Sequence, residues 1–141
     1  MAAADLEAGV MAYLATGADV VALAGTRFFG GELPDDETDF MPRKAVLVQS
    51  SGGISLASGS TVETDTRRVD ITTYGETPRE AGQLMSEVAL HLKRLRRSIH
   101  GGVLLHWANS AGGSATGREP QTEWPRAIQS FQILHALEAV T

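Results

Sequence analysis

The sequence predicts an α+β domain: an N-terminal helix and one long helix packed on an antiparallel or mixed sheet of about four to five strands. The long helix is predicted from Thr77 to His100, where apolar residues recur at steps of three and four. Two strand-like segments precede it and two follow it. The 141 residues contain no internal repeat and no linker, so residues 1–141 are expected to form a single domain.

The first element is a helix, because Asp5 is a suitable N-cap and apolar residues follow it on one helical face. Those residues are Leu6, Val10, Tyr13 and Leu14. Thr16-Gly17 is expected to interrupt this helix, and Asp19 to cap a second short helix that ends at Gly25. Residues 27–29 are expected to form a brief extended piece.

Residues 32–43 are predicted as a loop, because Pro34 and Pro42 bracket an acidic, polar stretch. The stretch holds a dense group of carboxylates: Glu32, Asp35, Asp36, Glu37 and Asp39. Their spacing lacks the alternating ligands, the central glycine and the closing glutamate of a calcium-binding loop. A solvated loop is therefore favoured over a metal site.

Two strands are predicted next. Residues 44–49 form a short apolar run that is typical of a buried strand, and Ser50-Ser51-Gly52-Gly53 is a turn signal. Residues 54–64 are small and polar, which fits either a hairpin arm or a mobile loop. From Arg67 to Tyr74, apolar and polar residues alternate as in a half-buried strand.

The long helix begins at a capping box, with Thr77 as N-cap, Pro78 at the first helical position and Glu80 three residues after the cap. The residues of its apolar stripe are Ala81, Leu84, Met85, Val88, Leu92, Leu95 and Ile99. His100 and the pair Gly101-Gly102 are expected to end the helix.

The remaining chain predicts a strand at residues 103–107 and a closing strand at residues 126–137. Residues 108–125 between them are rich in glycine and polar residues and are predicted as a long loop. Loops of this length are usually functional or disordered.

Composition excludes several functions. The chain has no cysteine, which excludes disulfides, zinc–thiolate sites and thiol nucleophiles. The net charge of −5 argues against a general affinity for nucleic acid. Because the N-terminus lacks the basic region of a signal peptide and no apolar run reaches membrane-spanning length, a soluble protein without a membrane partner is expected.

No catalytic, cofactor-binding or metal-binding motif is recognised. Residues 112–117 lack the lysine of a phosphate-binding loop, and no serine stands in a GxSxG elbow. No two histidines have the i, i+4 spacing of a helical metal site. His106 and His135 would converge if their strands pair, which keeps open a small enzyme or ligand-binding domain whose loop 108–125 closes over them.

A basic cluster is predicted near the C-terminal end of the long helix, where the helix dipole favours cations. It forms either a charged outer face or a contact with the acidic loop of a neighbouring copy. In the second interpretation the interface residues are Asp35, Asp36, Glu37 and Asp39 on one copy and Lys93, Arg94, Arg96 and Arg97 on the next.

Several phrases of the sequence resemble the tail terminator, or tail-completion (head-tail joining), proteins of long-tailed phages and gene transfer agents. They are ADVVALAGTRFFGG at residues 18–31, MPRKAVLVQS at residues 41–50 and the strand-to-helix segment at residues 67–92. The most telling part is VDITTYGETPREA at residues 69–81. The resemblance covers almost the whole chain.

The resemblance implies a structural virion protein without enzymatic activity or cofactor. It implies a hexameric ring that caps the head-proximal end of the tail tube, stops tube polymerisation and docks on the head-completion (stopper) protein. DNA would pass through the lumen of the ring without specific binding. The role of another neck protein, a stopper or adaptor, remains an alternative.

Overall fold

A computed structural model describes residues 3–52 and 64–140, and it confirms the α+β fold class. The helices in these ranges are α1 (Leu6–Leu14), α2 (Ala18–Ala24), α3 (Asp35–Thr38) and α4 (Pro78–Lys93). The strands are β1 (Phe28–Gly30), β2 (Ala45–Gly52), β3 (Thr64–Tyr74), β4 (Ser98–His100), β5 (Val103–Ser110), β6 (Ala115–Arg118) and β7 (Pro125–Ala136). The predicted hairpin arm or mobile loop at residues 54–64 lies, apart from Thr64, outside the described residues.

The described strands form one mixed sheet with the order β1-β2-β3-β7-β5-β4, and β6 pairs with the first four residues of β7. β1 runs parallel to β2, and the other pairings are antiparallel. The sheet has seven strands instead of the predicted four to five. β1 corresponds to the brief extended piece predicted at residues 27–29. The additional strands β4 and β6 have three or four residues each, too few to produce a recognisable alternation.

Helix α4 covers the central strands β3, β7 and β5, and the start of α4 agrees with the capping prediction. Thr77 Oγ1 accepts a hydrogen bond from the Glu80 N–H at 3.2 Å, and the Glu80 carboxylate accepts one from the Glu76 N–H at 2.9 Å. Thr73 Oγ1 donates to the Ala81 carbonyl at 2.7 Å and ties β3 to the helix. The buried residues of α4 are those predicted: Ala81, Leu84, Met85, Val88 and Leu92.

The N-terminal helices agree with the prediction except at one cap. Asp5 caps α1, because its carboxylate accepts a hydrogen bond from the Ala8 N–H at 3.2 Å. Asp19 does not cap α2, which begins one residue earlier, at Ala18, after Gly17. In the described part of the chain, no single helix is long and apolar enough to cross a membrane.

The long helix ends at Lys93 and not at His100, which corrects the predicted boundary. Leu95 is buried after the helix has ended, and the chain then forms β4. Gly101 and Gly102, with φ of 57° and 75°, make the two-residue turn of the β4–β5 hairpin instead of a helix stop. Ile99, predicted on the apolar stripe of the helix, is 55% exposed on β4.

The two predicted loops contain regular structure. Residues 32–43 include the short helix α3, and residues 108–125 include the end of β5 and the whole of β6. The face of the sheet away from α4 carries a small apolar cluster of Ala45, Leu47, Tyr74, Phe29, Leu33, Met41 and Trp124. This cluster lies beneath the connection between β1 and β2, and it supports the acidic loop described next.

Candidate functional site

The predicted acidic residues lie in the connection between β1 and β2 that contains α3. We call residues 35–40 the acidic segment. Asp35, Asp36 and Asp39 are exposed, and their carboxylates form no ion pair within residues 3–52 and 64–140. Three carboxylates on one short segment are therefore free to meet cations of another molecule.

The fourth predicted acid, Glu37, is engaged inside its own chain. It is 7% exposed, and the Arg43 guanidinium donates two hydrogen bonds to its carboxylate oxygens, each at 2.7 Å. The hydrogen bond to Glu37 raises the pKa of Arg43. The same guanidinium lies over the ring of Phe40, 5.0 Å from its centre. Glu37 thus braces the acidic segment and holds Phe40 at its end.

The predicted basic residues occupy the last position of α4 and the turn that leads into β4. We call residues 93–97 the basic segment. Its exposed cations are Lys93, Arg94, Arg96 and Arg97. None of them forms an ion pair with another described residue. Leu95, 5% exposed, anchors the segment to the core, and the negative end of the α4 dipole lies beside the cations.

A contact between α1 and α4 fixes the helix end from which the basic segment projects. The Tyr13 hydroxyl donates to the His91 carbonyl at 2.6 Å, and the two rings stack with centres 4.3 Å apart. His91 Nε2 lies 3.0 Å from both the Tyr13 carbonyl oxygen and Thr16 Oγ1. Burial raises the pKa of Tyr13, so its hydroxyl remains a hydrogen-bond donor at neutral pH. His91 therefore joins α1 to α4.

The acidic and basic segments belong to opposite edges of the sheet. The acidic segment leads from the edge strand β1 into β2, and the basic segment leads into β4, the strand at the other edge. Five strand-to-strand steps of about 4.8 Å separate the two edges along the sheet, and no ion pair joins the segments in the described part of the chain. The structure gathers each predicted group but does not bring the two groups together within one chain.

A groove lies between α4 and β5, next to the basic segment. Its volume is about 550 Å³, and Lys93 is among the residues that line it. The apolar residues of the groove are Met85, Ala89, Leu90, Leu92, Ala108 and Phe131. Its polar lining residues besides Lys93 are Ser86, Asn109, Ser110, Ser114 and Gln129.

The two histidines that the sequence suggested as a site lie on neighbouring strands. His135 is 1% exposed on β7, and its ladder partner on β5 is Leu105, the residue before His106. Burial lowers the pKa of His135, and the Nε2 atoms of both histidines lack a hydrogen-bond partner in the described structure. The α4–β5 groove is lined by neither histidine. Residues 108–125 pair along β7 instead of closing over them, and the described residues contain no cluster of three metal-ligating side chains.

No role was predicted from the sequence for Phe40, at the end of the acidic segment, or for Arg43, which contacts that segment through Glu37 and Phe40. The available signal was a phenylalanine among acidic and polar residues, at a position that belongs to no apolar stripe. Such a residue is either buried by a distant part of the chain or left exposed. The structure leaves Phe40 64% exposed.

Comparisons with known proteins give a similarity of fold. No protein-family model matches the sequence, and no curated protein matches it. Among solved structures, the chain is similar to a chain of the virion of a native gene transfer agent (GTA) particle. The TM-score is 0.66 over 93% of this chain and 94% of that chain, at 18% sequence identity. The two chains therefore share one fold over nearly their whole lengths.

Proposed function

We propose that the chain is a structural virion protein that forms a ring on the head-proximal end of a phage-like tail tube. The ring ends tube polymerisation and joins the tail to the head-completion protein. The observation that carries the proposal is the whole-chain similarity of fold to a chain of a gene transfer agent virion. The resemblance of residues 69–81 to tail terminators supports the specific position in the tail.

The distribution of charge supports self-association into a ring. Three free carboxylates lie at one edge of the sheet and four free cations at the other, among the described residues. Contact between different surfaces of identical subunits is a head-to-tail interface, which closes into a ring when the rotation permits. We propose that the acidic segment of one copy faces the basic segment of the next, and the resemblance supplies the number of six subunits.

The proposal includes no catalytic step and no cofactor. In the proposed ring, DNA passes through the lumen without specific binding, and the net charge of −5 gives the chain little general attraction for phosphates. The partners of the ring are the tail tube protein on one side and the head-completion protein on the other.

The first experiment measures the mass of the purified protein by light scattering at low and high concentration. We expect a discrete species of about six times the chain mass of 15.0 kDa. Electron microscopy then locates the protein on tail tubes polymerised in its presence, where we expect binding at one end only and shorter tubes. A protein that forms no ring, alone or on tubes, contradicts the proposal. Binding to the head-completion protein without binding to tube ends assigns the chain to another position in the neck.

A further inference from the structure

We propose that Phe40 of one copy inserts into the α4–β5 groove of the next copy and sets the position of the subunits in the ring. This inference rests on the proposed ring, and it names the contact that holds the ring together. Three observations support it. The Phe40 side chain is exposed and held by Arg43, the groove between α4 and β5 is unfilled and has apolar walls, and charged residues lie beside both.

Phe40 has the properties of an interface anchor. At 64% it is the most exposed large hydrophobic side chain of the described residues. Arg43 lies over its ring, Glu37 holds Arg43 in a bidentate ion pair, and the Phe40 N–H donates to the Glu37 carbonyl at 3.0 Å. A side chain that is held in place before binding loses little conformational freedom on binding. Aromatic residues of this kind commonly dominate the energy of an interface.

The groove has the properties of a receptor for one aromatic ring. Small residues on both walls, Ala89 on α4 and Ala108 on β5, leave the space between them unfilled, and Phe131 is part of its lining. Since β4 pairs with β5 only as far as Leu105, the next residues of β5 have no described strand on their outer side. The groove volume of about 550 Å³ lies within the range of pockets that bury most of a small ligand. It accommodates the ring of Phe40 and the adjoining backbone.

The charges beside Phe40 match the charges beside the groove. Asp39 immediately precedes Phe40, and Asp36 lies one helical turn before it. Lys93 lines the groove, and Arg94 follows it as an exposed residue. Insertion of the phenyl ring would therefore also place the carboxylates of Asp36 and Asp39 near the cations of Lys93 and Arg94. A second copy of this chain supplies this combination of one aromatic ring and several carboxylates.

The two surfaces lie at opposite edges of the sheet, so the contact cannot be made within one chain. The segment that carries Phe40 adjoins β1, and the groove lies at β5, four steps along the strand order. Every subunit then donates one phenylalanine and accepts one. This is the arrangement of a head-to-tail ring.

The first test is truncation of the anchor. Phe40→Ala is expected to raise the concentration for half-maximal ring assembly at least about tenfold, the usual effect of losing an interface anchor. Because Phe40 is exposed, the thermal unfolding of the single chain should change little. The matched control is Ile99→Ala. Ile99 is also exposed and lies at the sheet edge next to the groove, opposite the edge of Phe40. Its ladder partner Leu104 precedes the core residue Leu105, so Ile99 points to the sheet face away from the groove.

The second test uses the absence of cysteine in the natural chain. Phe40→Cys protein is mixed with Ala89→Cys protein and oxidised under conditions in which rings form. If Phe40 of one copy lies in the groove against Ala89 of the next, a covalent two-chain product is expected, because a disulfide forms only between residues whose Cα atoms come within about 4.4–6.8 Å of each other. Phe40→Cys mixed with Ile99→Cys is the control and should give no such product.

The outcomes separate this inference from the proposed function. Rings that assemble with unchanged affinity in Phe40→Ala and give no cross-link overturn the inference and leave the ring standing. A wild-type protein that forms no ring, alone or on tail tubes, overturns both. If rings form without tail tubes but the cysteine in Ala89→Cys is shielded from thiol reagents only after tubes are added, the groove binds the tube protein and the inference is wrong.

Discussion

Replacing Arg94 and Arg97 together by glutamate is expected to weaken ring assembly if the basic segment meets the acidic segment of the next copy. Both residues are exposed and form no ion pair among the described residues, so the substitutions break no ion pair inside the chain. Any effect on assembly then reports on the contact between copies. The double variant should keep the fold, because Leu95, which anchors the basic segment to the core, is unchanged.

The size of the effect follows from the number of charges. In the proposed contact three carboxylates face four cations, so at most three one-to-one pairs could form at each interface. Exposed pairs contribute about 0.2–1 kcal/mol each, and like charges are unfavourable by similar amounts. Reversing two cations should therefore weaken each interface by about 1–4 kcal/mol, about fivefold to several-hundredfold in the concentration needed for assembly.

The assay is light scattering against protein concentration at low salt and at about 1 M salt. Wild-type rings should weaken at high salt, because the screening length shrinks from about 8 Å to about 3 Å. The double variant should be less sensitive to salt. The control is Arg79→Glu with Arg118→Glu, which changes the net charge equally at exposed positions away from the basic segment.

Restoration of assembly provides the strictest check. Asp36→Arg and Asp39→Arg, introduced into the chain that carries Arg94→Glu and Arg97→Glu, should return assembly toward the wild-type level. Equal assembly of wild type, reversed variant and control at low salt would refute the reasoning. So would a loss of assembly that the acidic-side substitutions fail to restore.

Two further predictions concern the stability of the single chain. Gly102→Ala should lower the free energy of unfolding by about 1–2 kcal/mol, because Gly102 has φ of 75° in the β4–β5 turn; Gly102→Asn should lower it less. Urea titrations of the two variants give the comparison, and equal losses would contradict it. His135 is buried and its pKa is lowered by burial, so the unfolded chain takes up a proton first and stability falls as the pH drops below about 6.5. Urea titrations across this range should show a smaller loss for His135→Leu, and an identical pH dependence in both proteins would contradict the prediction.

The sequence predicts well where local chemistry decides the structure. The Thr77 cap and the apolar stripe of the long helix are determined by residues within a few turns of one another, and the structure contains the cap and the stripe as far as Leu92. The alternation in residues 67–74 likewise predicts a strand that β3 contains. In each case the signal and the contact that produces it lie in the same segment.

The sequence predicts poorly where a distant pairing overrides a local pattern. Ile99 and Leu95 continue the helical spacing, yet the chain leaves the helix at Lys93 because residues 98–100 pair with β5. A Gly-Gly pair ends a helix or turns a hairpin equally well, and only the pairing across it distinguishes the two. Strands as short as β4 and β6 are too short to show a period of two, so only their pairing with neighbouring strands defines them.

The candidate interface also combines features that the sequence predicts with features that only the fold determines. Both groups of charges are visible as clusters in the sequence, but their positions at opposite edges of the sheet follow from the strand order. The ion pair between Glu37 and Arg43 joins residues six apart in a connection without regular spacing, so the sequence cannot distinguish Glu37 from the exposed aspartates. The same pairing determines where Phe40 points.

In the proposed ring, the Glu37–Arg43 ion pair determines how the charge contacts and the Phe40 contact act together. Charge pairs between exposed groups are weak and tolerate a range of orientations, so by themselves they do not select the rotation that closes a ring over one that extends a filament. An aromatic ring in a groove is restricted in orientation, provided that the segment carrying it is rigid. Glu37 and Arg43 supply that rigidity by holding the turn after α3 and the Phe40 ring together. In the proposed ring, the buried Glu37 would therefore contribute to closure, and the exposed acids to attraction.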